Sequence, residues 1–422
     1  MIPAIILFAV TYVLMLTFSK YRPYIALASG VVFIVTGMLP FDQVIGAIDF
    51  NVLMMIAGTM GLVSLFIESR MPSLLADLVM EKVPNVQWAA VCLSLFAGLI
   101  SAFVDNVATV LIIAPVALEI CKKLKTNPVP VIIAIAVSSN LQGAATLVGD
   151  TTAIMLGSYA GMSFLDFFWY QGKPSIFFAV ELGAILSAII IYFLFFKEKG
   201  QIPKGAARTK VTDYVPSVLL VGTIVLLICA SFIPNKPDIT NGLICCALLA
   251  IGLVYNFIKK KTADAVLAPL KEIDFQTIGL LVGLFLMIGG ITNMGVIDAA
   301  AHLLAELGGG NVFLLYTVIV WASVLISAFI DNIPYVATML PVIQGLAATL
   351  GMDPTLLYFG LLSGATLGGN CTPIGASANI TGIGILRKDG HEVKNSDFFR
   401  IGIPFTLAAI IPAYIYFWLL FA

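Results

Sequence analysis

Six residues, Ser101-Ala102-Phe103-Val104-Asp105-Asn106, return 226 positions later as Ser327-Ala328-Phe329-Ile330-Asp331-Asn332, so an acid is placed beside an amide twice in apolar surroundings. The register holds beyond the hexapeptide: Val110 meets Val336, Pro115 meets Pro341, Gly143 meets Gly369, Thr146 meets Thr372 and Gly149 meets Gly375. A third acid, Asp150, has Ala376 opposite it. Placing a carboxylate in hydrocarbon costs about 2.5 to 3.5 kcal/mol on insertion scales, so an intramembrane acid normally faces a cavity or a partner. No lysine or arginine occurs in the apolar segments around these three acids. Without a basic partner, such an acid binds a cation or holds a proton, because a low dielectric penalises its charged form. That is the chemistry of a site exchanging sodium or protons, with Asp105 and Asp331 as candidate sodium ligands. Asn106, Asn332, Thr146, Thr151, Thr152, Thr372, Ser377 and Asn379 add the oxygen donors that a hard cation takes. A structural alternative fits the same residues: Asp before a returning helix is a favoured N-cap, and Thr, Ser and Asn satisfy helix breaks.

The elements that position these residues follow from composition. With 60% hydrophobic and 11% charged residues the chain departs from soluble domains, which carry about 25% charge. Its apolar runs of membrane-crossing length do not alternate, which makes it an all-α polytopic membrane protein. Runs near 2–18, 24–39 and 51–67 read as spans, followed by an interfacial connector at 69–84. Residues 88–104 form an apolar arm, Asp105 to Thr109 a polar tip, and Val110 to Cys121 a second arm. At 1.5 Å per residue this second arm covers only about 18 Å, so a re-entrant helical hairpin is predicted. A run at 129–165 is interrupted by Gln142 to Thr152, the pattern of a broken helix, and a further span is predicted at 175–196. Glu181 lies within that last span. The second half repeats the plan, with spans at 215–233, 239–258 and 276–292, a hairpin at 312–350, a broken run at 356–386 and a last span at 401–421. The predicted division is thus 1–196, a linker at 197–214, and 215–422, each repeat having five spanning helices, one of them broken, plus a hairpin.

Lysine and arginine accumulate in cytoplasmic loops. With the N-terminus outside, every one of the 22 basic residues except Lys173 and Lys236 falls on the inner side, which makes the linker cytoplasmic and predicts a multi-pass protein of the plasma (inner) membrane. Five crossings per half force the second copy to enter from the opposite face. Inverted repeats whose discontinuous helices meet at the midplane are the architecture of secondary transporters. The six cysteines lack metal-site spacing, no GxxxxGK[ST] loop for ATP occurs, and neither a cofactor beyond the coupling sodium ion or proton nor a nucleic-acid partner is expected.

The paired SAF[VI]DN tips, with GAATLVGDTTAIMLG after the first and GATLGGNCTPIGASANI after the second, resemble the ion transporter superfamily. The branch is that of arsenical-pump membrane proteins, D-type sodium/proton antiporters and the melanosomal P protein, and nearly the whole chain takes part. The resemblance implies a homodimer, a scaffold and a moving transport domain. By position it adds Thr109, Gly149 and Gly375 to the site, with Tyr335 standing where Thr109 has its counterpart. The resulting expectation is no enzyme but an ion-coupled transporter of a small inorganic ion, either an arsenite-type permease or a sodium/proton antiporter. The divalent-anion/sodium symporters are more distant, since their tips carry Ser-Asn-Thr where this chain has Asp-Asn. A sodium-coupled dicarboxylate symporter is therefore the alternative. An intramembrane aspartyl protease would also use two acids, but the GxGD pattern is absent at Leu147-Val148-Gly149-Asp150.

Overall fold

The computed structural model describes residues 1–196, 200 and 208–422. Lys197, Lys199 and Lys204, which the charge count assigns to the linker, lie outside the described residues. Ten helices make up the first half: α1 (Ile2–Thr17), α2 (Arg22–Val35), α3 (Val44–Ala47), α4 (Phe50–Glu68), α5 (Met71–Met80), α6 (Val86–Ser101), α7 (Asn106–Leu124), α8 (Val129–Gly143), α9 (Thr151–Tyr159) and α10 (Ile176–Leu194). Ten more follow in the second: α11 (Val215–Ser231), α12 (Thr240–Lys260), α13 (Asp264–Lys271), α14 (Phe275–Asn293), α15 (Val296–Gly308), α16 (Val312–Ser327), α17 (Asn332–Leu350), α18 (Thr355–Gly368), α19 (Ser377–Lys388) and α20 (Asn395–Phe421). Each helix of the first half thus has a counterpart ten places on. The strands among the described residues are β1 (Trp169–Tyr170) and β2 (Lys173–Pro174), a minimal antiparallel pair.

Local chemistry explains several boundaries. The echoed Ile-Asp-Phe tripeptides are helix starts: Asp49 accepts the Val52 N–H at 3.0 Å to cap α4, and Asp274 accepts the Thr277 N–H at 3.0 Å to cap α14. Asn85 and Asn311 cap α6 and α16 in the same way. The expected 24–39 span stops at Val35 because Gly37 adopts a left-handed φ of +72°. Among the described residues six helices are long and apolar enough to cross a membrane, or seven if α15 and α16, bent by 118°, form one span.

The two broken helices fall where the glycine and hydroxyl runs predict. The second hairpin, α16 and α17, also keeps its expected bounds of 312–350, but the arms of the first do not. Since Asp105 is a cap, Asn106 is already helical, and α7 runs 19 residues rather than about 12. At 1.5 Å per residue it is about 28 Å long, so the argument from shortness fails. The connector at 69–84 also contains a ten-residue helix, α5, and α13 and α15 fall between the expected spans.

Packing exchanges partners between the halves. Helix α2 lies on α14 and α12 on α4, while α7 meets α19 and α17 meets α9. The first two contacts depend on glycine. A Cβ on Gly283 would lie 2.4 Å from the Ala26 carbonyl carbon, and one on Gly58 would lie 2.6 Å from the Cys245 carbonyl carbon. Small residues at such interfaces let backbones approach where lipid offers no hydrophobic drive. Gly283→Ala is therefore expected to destabilise the protein by about 1 to 3 kcal/mol. Gly279→Ala, one turn earlier, has its nearest neighbour at 3.5 Å and should be neutral. Thermal melting of the purified proteins in detergent distinguishes the two.

Candidate functional site

The two tips are short turns, each ended by an aspartate that caps the following helix. Asp105 Oδ1 accepts the N–H groups of Val107 at 3.0 Å and Ala108 at 3.2 Å, and Asp331 Oδ1 accepts that of Ile333 at 3.1 Å. Asp150 caps α9, taking the Thr152 N–H at 3.3 Å on Oδ1 and the Thr152 hydroxyl at 3.0 Å on Oδ2. All three acids therefore do the capping work that the structural alternative assigns them. Capping occupies Oδ1 of Asp105 and Asp331, and their surroundings separate the two.

Asp105, Asn106, Asp150, Thr151, Asn332 and Ser377 line one cavity of about 590 Å³. Glu68 at the end of α4, Glu272 and Asp274 line the same space, and no lysine or arginine is among its described lining residues. Asp331 is absent from this lining: its Oδ2 is 3.3 Å from Nη1 of Arg22, whose Nε donates to the Met15 carbonyl at 3.2 Å. The expectation that the tip acids lack a basic partner thus fails for Asp331. Arg22 lies 309 residues away, where no local pattern could reveal the pairing.

Other predicted residues position the tips without reaching the cavity. The Thr146 hydroxyl donates to the Ala102 carbonyl and the Thr372 hydroxyl to the Ala328 carbonyl, tying each broken helix to the tip of its own half. Gly149 and Gly375 serve the same approach: a Cβ would lie 2.6 Å from the Ser101 oxygen at the first and 2.9 Å from the Ala328 oxygen at the second. Thr109 is fully buried and turns its hydroxyl to the Val104 carbonyl at 3.5 Å, while Tyr335, in the matching position, reaches Ser323 at 3.0 Å. Asn379 donates to the Gly369 and Thr372 carbonyls, both at 3.0 Å, and its Oδ1 is buried without a partner among the described residues.

Sequence reasoning missed a buried amide and hydroxyl network joining the halves. Asn106 Nδ2 donates to Asn140 Oδ1 at 3.2 Å, while Asn140 Nδ2 donates to the Thr366 carbonyl at 2.7 Å and to Asn370 Oδ1 at 3.0 Å. Asn370 returns a bond to the Val137 carbonyl at 2.9 Å. Ser101 donates to Asn106 Oδ1 at 2.9 Å, and Ser139 bonds both Ser101 and the Asn106 carbonyl. The available signal was Ser138-Ser139-Asn140, three polar residues inside an otherwise apolar run.

A second cavity, of about 970 Å³, is lined by Asp49 and Phe50 at the start of α4, Thr292 and Asn293 at the end of α14, and by Ser158, Tyr159, Ala337 and Leu340. The first cavity meets the other ends of the same two helices, Ile67 and Glu68 of α4 and Thr277 of α14. The two cavities therefore lie at opposite ends of a pair of helices that run in opposite directions.

The citrate transporter family named CitMHS matches residues 12–364 and 272–422. An uncharacterized transporter of Mycobacterium tuberculosis is 30% identical over 99% of this chain and 98% of its own length. The P protein of Sus scrofa is 26% identical over 96% of this chain and 58% of its own. In fold, the crystal structure of the Alcanivorax borkumensis YdaH transporter superposes with a TM-score of 0.61 at 14% identity, covering 89% of this chain and 87% of that one.

Proposed function

Since the chain belongs to the CitMHS family of citrate transporters, we propose that it is an ion-coupled secondary transporter working by alternating access, with Asp105 and Asp150 as the carboxylates that exchange the coupling sodium ion or proton. The observation that carries this reading is the cavity in which these two acids are presented with Asn106, Thr151, Asn332 and Ser377 and with no described basic residue. An acid-lined entrance repels a free anion and attracts a cation, since fields in a cleft of one sign concentrate the opposite charge. The cargo is accordingly a cation, a neutral species such as arsenous acid, or an anion that arrives complexed by a metal ion. The family's description names citrate, which an acid-lined entrance would admit in this last form.

Inversion of the repeats belongs to the same proposal. Counterpart helices α4 and α14 run in opposite directions between two cavities, one reaching the tip of the first half and one stopping at Ala337 and Leu340. A duplicated unit related by an axis in the membrane plane has this form, and exchanging the two arrangements would move the site from one face to the other. The skew of basic residues supports an outside N-terminus, a cytoplasmic linker and an inner cavity at Glu68 in the plasma membrane. The homodimer implied by the resemblance is part of this reading.

Reconstitution into sealed vesicles tests it. Imposed sodium and proton gradients are each combined with radiolabelled citrate, with and without magnesium, and with arsenite, and uptake is read against the gradient. Accumulation driven by one gradient is expected. Equilibration without accumulation under every gradient would make the protein a passive channel and overturn the proposal.

A further inference from the structure

Arg22-Pro23 opens α2, and Lys236-Pro237 stands just before α12, the counterpart helix, with isoleucine two residues further on in each case (Ile25 and Ile239). The packing fixes where the two cations sit. Helix α2 runs alongside α14 in the same direction, since Gly283 meets Ala26 and Gly290 meets Phe33. Arg22 is therefore level with the first turns of α14, near Thr277 and one to two turns from Asp274, which line the 590 Å³ cavity. Helix α12 runs alongside α4 in the same direction, with the Gly242 N–H donating to Asn51 Oδ1 at 2.8 Å. Lys236 is therefore level with Asp49 at the opposite face, beside Asp238 and Ile239 of the larger cavity.

In this arrangement the two cations are in different states. Arg22 pairs with Asp331, the tip acid of the other half. Lys236 donates to the Asn241 amide oxygen at 3.4 Å, feels the charge of Asp166 and forms no ion pair among the described residues, and Asp105, the tip acid of the half opposite to it, is left facing the cavity. The geometry points to Arg22 and Lys236 as alternating internal counter-ions: each pairs with the tip aspartate of the other repeat in one of the two access states and releases it in the other. In the state described here Arg22 fills the cation seat of Asp331, so of the two tip acids Asp105 is the one open to a coupling ion. When the tips move to the other face, Asp331 leaves Arg22, and Lys236 takes Asp105.

This pairing serves coupling. A tip acid that met no cation would be carried through the low-dielectric interior uncompensated, at the cost of an unpaired buried charge. An internal cation at each end of the movement removes that cost for one tip while the other exchanges its ion. It also biases the exchange, because an ion pair present in one state only shifts the population by its own free energy. The inference rests on alternating access as proposed above.

The test reads the access state directly. In a variant lacking the six native cysteines, Ser64→Cys or Ile67→Cys, both on the wall of the 590 Å³ cavity, reports exposure to a membrane-impermeant maleimide applied from that face of sealed vesicles. Arg22→Gln is expected to slow labelling and Lys236→Gln to accelerate it, each by about fivefold, the factor that ~1 kcal/mol makes in an equilibrium. Arg22→Lys, which keeps the charge, should return most of the wild-type rate. Shifts of the same sign in both Gln variants, or none, would overturn the counter-ions. Should Arg22→Gln fail to accumulate, an unchanged rate in Lys236→Gln overturns them alone. Wild-type vesicles that accumulate nothing would instead sink the transport reading, so the two failures are distinguishable.

Discussion

Asp105→Asn is expected to lower coupled uptake by about 10- to 100-fold while the protein folds and melts as the wild type does. The size follows from removing one charge-assisted interaction worth about 1.5 to 3 kcal/mol, with each 1.4 kcal/mol a factor of ten. The sparing of the fold follows from the cap. Asp105 Oδ1 holds the N–H groups of Val107 and Ala108, and an Asn side-chain oxygen does this as well as Asp. The substitution therefore separates the two roles that the geometry assigns to one residue. Asp105→Ala loses both and should also melt earlier, by about 1 kcal/mol of stability. Uptake against an imposed gradient and thermal melting, measured on the same preparations, decide the matter. Full coupled uptake by the Asn variant would leave Asp105 as a cap and nothing more. Asp150→Asn should behave like Asp105→Asn, since Asp150 lines the same cavity.

The contrast between Asp105 and Asp331 also shows where sequence reasoning reached its limit. The repeat, the helical class, the broken segments and the three acids were legible because each leaves a local mark: apolar length, glycine within an apolar run, a carboxylate without neighbours of opposite sign. The true length of α7 was legible too and was misread. Asp followed by Asn-Val-Ala-Thr reads as a polar tip, but the cap reading of Asp105, which the sequence also offers, makes Asn106 the first helical residue. The non-equivalence of the two tips was not legible. It depends on Arg22 reaching across 309 residues, which neither periodicity nor the repeat can express. Thr146 and Thr372 show the intermediate case. Their matching register marked them as a pair, but whether a threonine hydroxyl faces an ion or ties a backbone carbonyl is decided by the approach of a second segment, here Ala102 and Ala328. A hydroxyl in a break thus reads the same from the sequence whether it binds cargo or holds the frame.

Asn140 carries the second large expected effect. It lines the cavity, and its side chain accepts from Asn106 of its own half while donating to Thr366 and Asn370 of the other. Asn140→Leu leaves an amide N–H of Asn106, the Asn370 oxygen and the Thr366 carbonyl short of a partner in a fully buried setting. An orphaned buried polar group costs about 1 to 3 kcal/mol, although in a membrane protein partners are often found elsewhere and single hydrogen bonds average nearer 0.6. A loss of about 2 to 5 kcal/mol is the resulting expectation, large enough to lower both the melting temperature in detergent and the yield of folded protein. Asn370→Ala should destabilise less, because it leaves the bond from Asn140 to the Thr366 carbonyl intact. The double substitution Asn140→Ala with Asn370→Ala then discriminates. If the network is one unit, its two ends are coupled, and the double variant is less destabilised than the two single variants added together by about 0.5 to 3 kcal/mol. Strict additivity would mean that Asn140 and Asn370 act separately, and the halves would then be joined at this point by packing alone. Coupling matters for transport because the first tip hangs on this bridge through Asn106. A movement of the second half would reach Asp105 through three side chains, Asn370, Asn140 and Asn106.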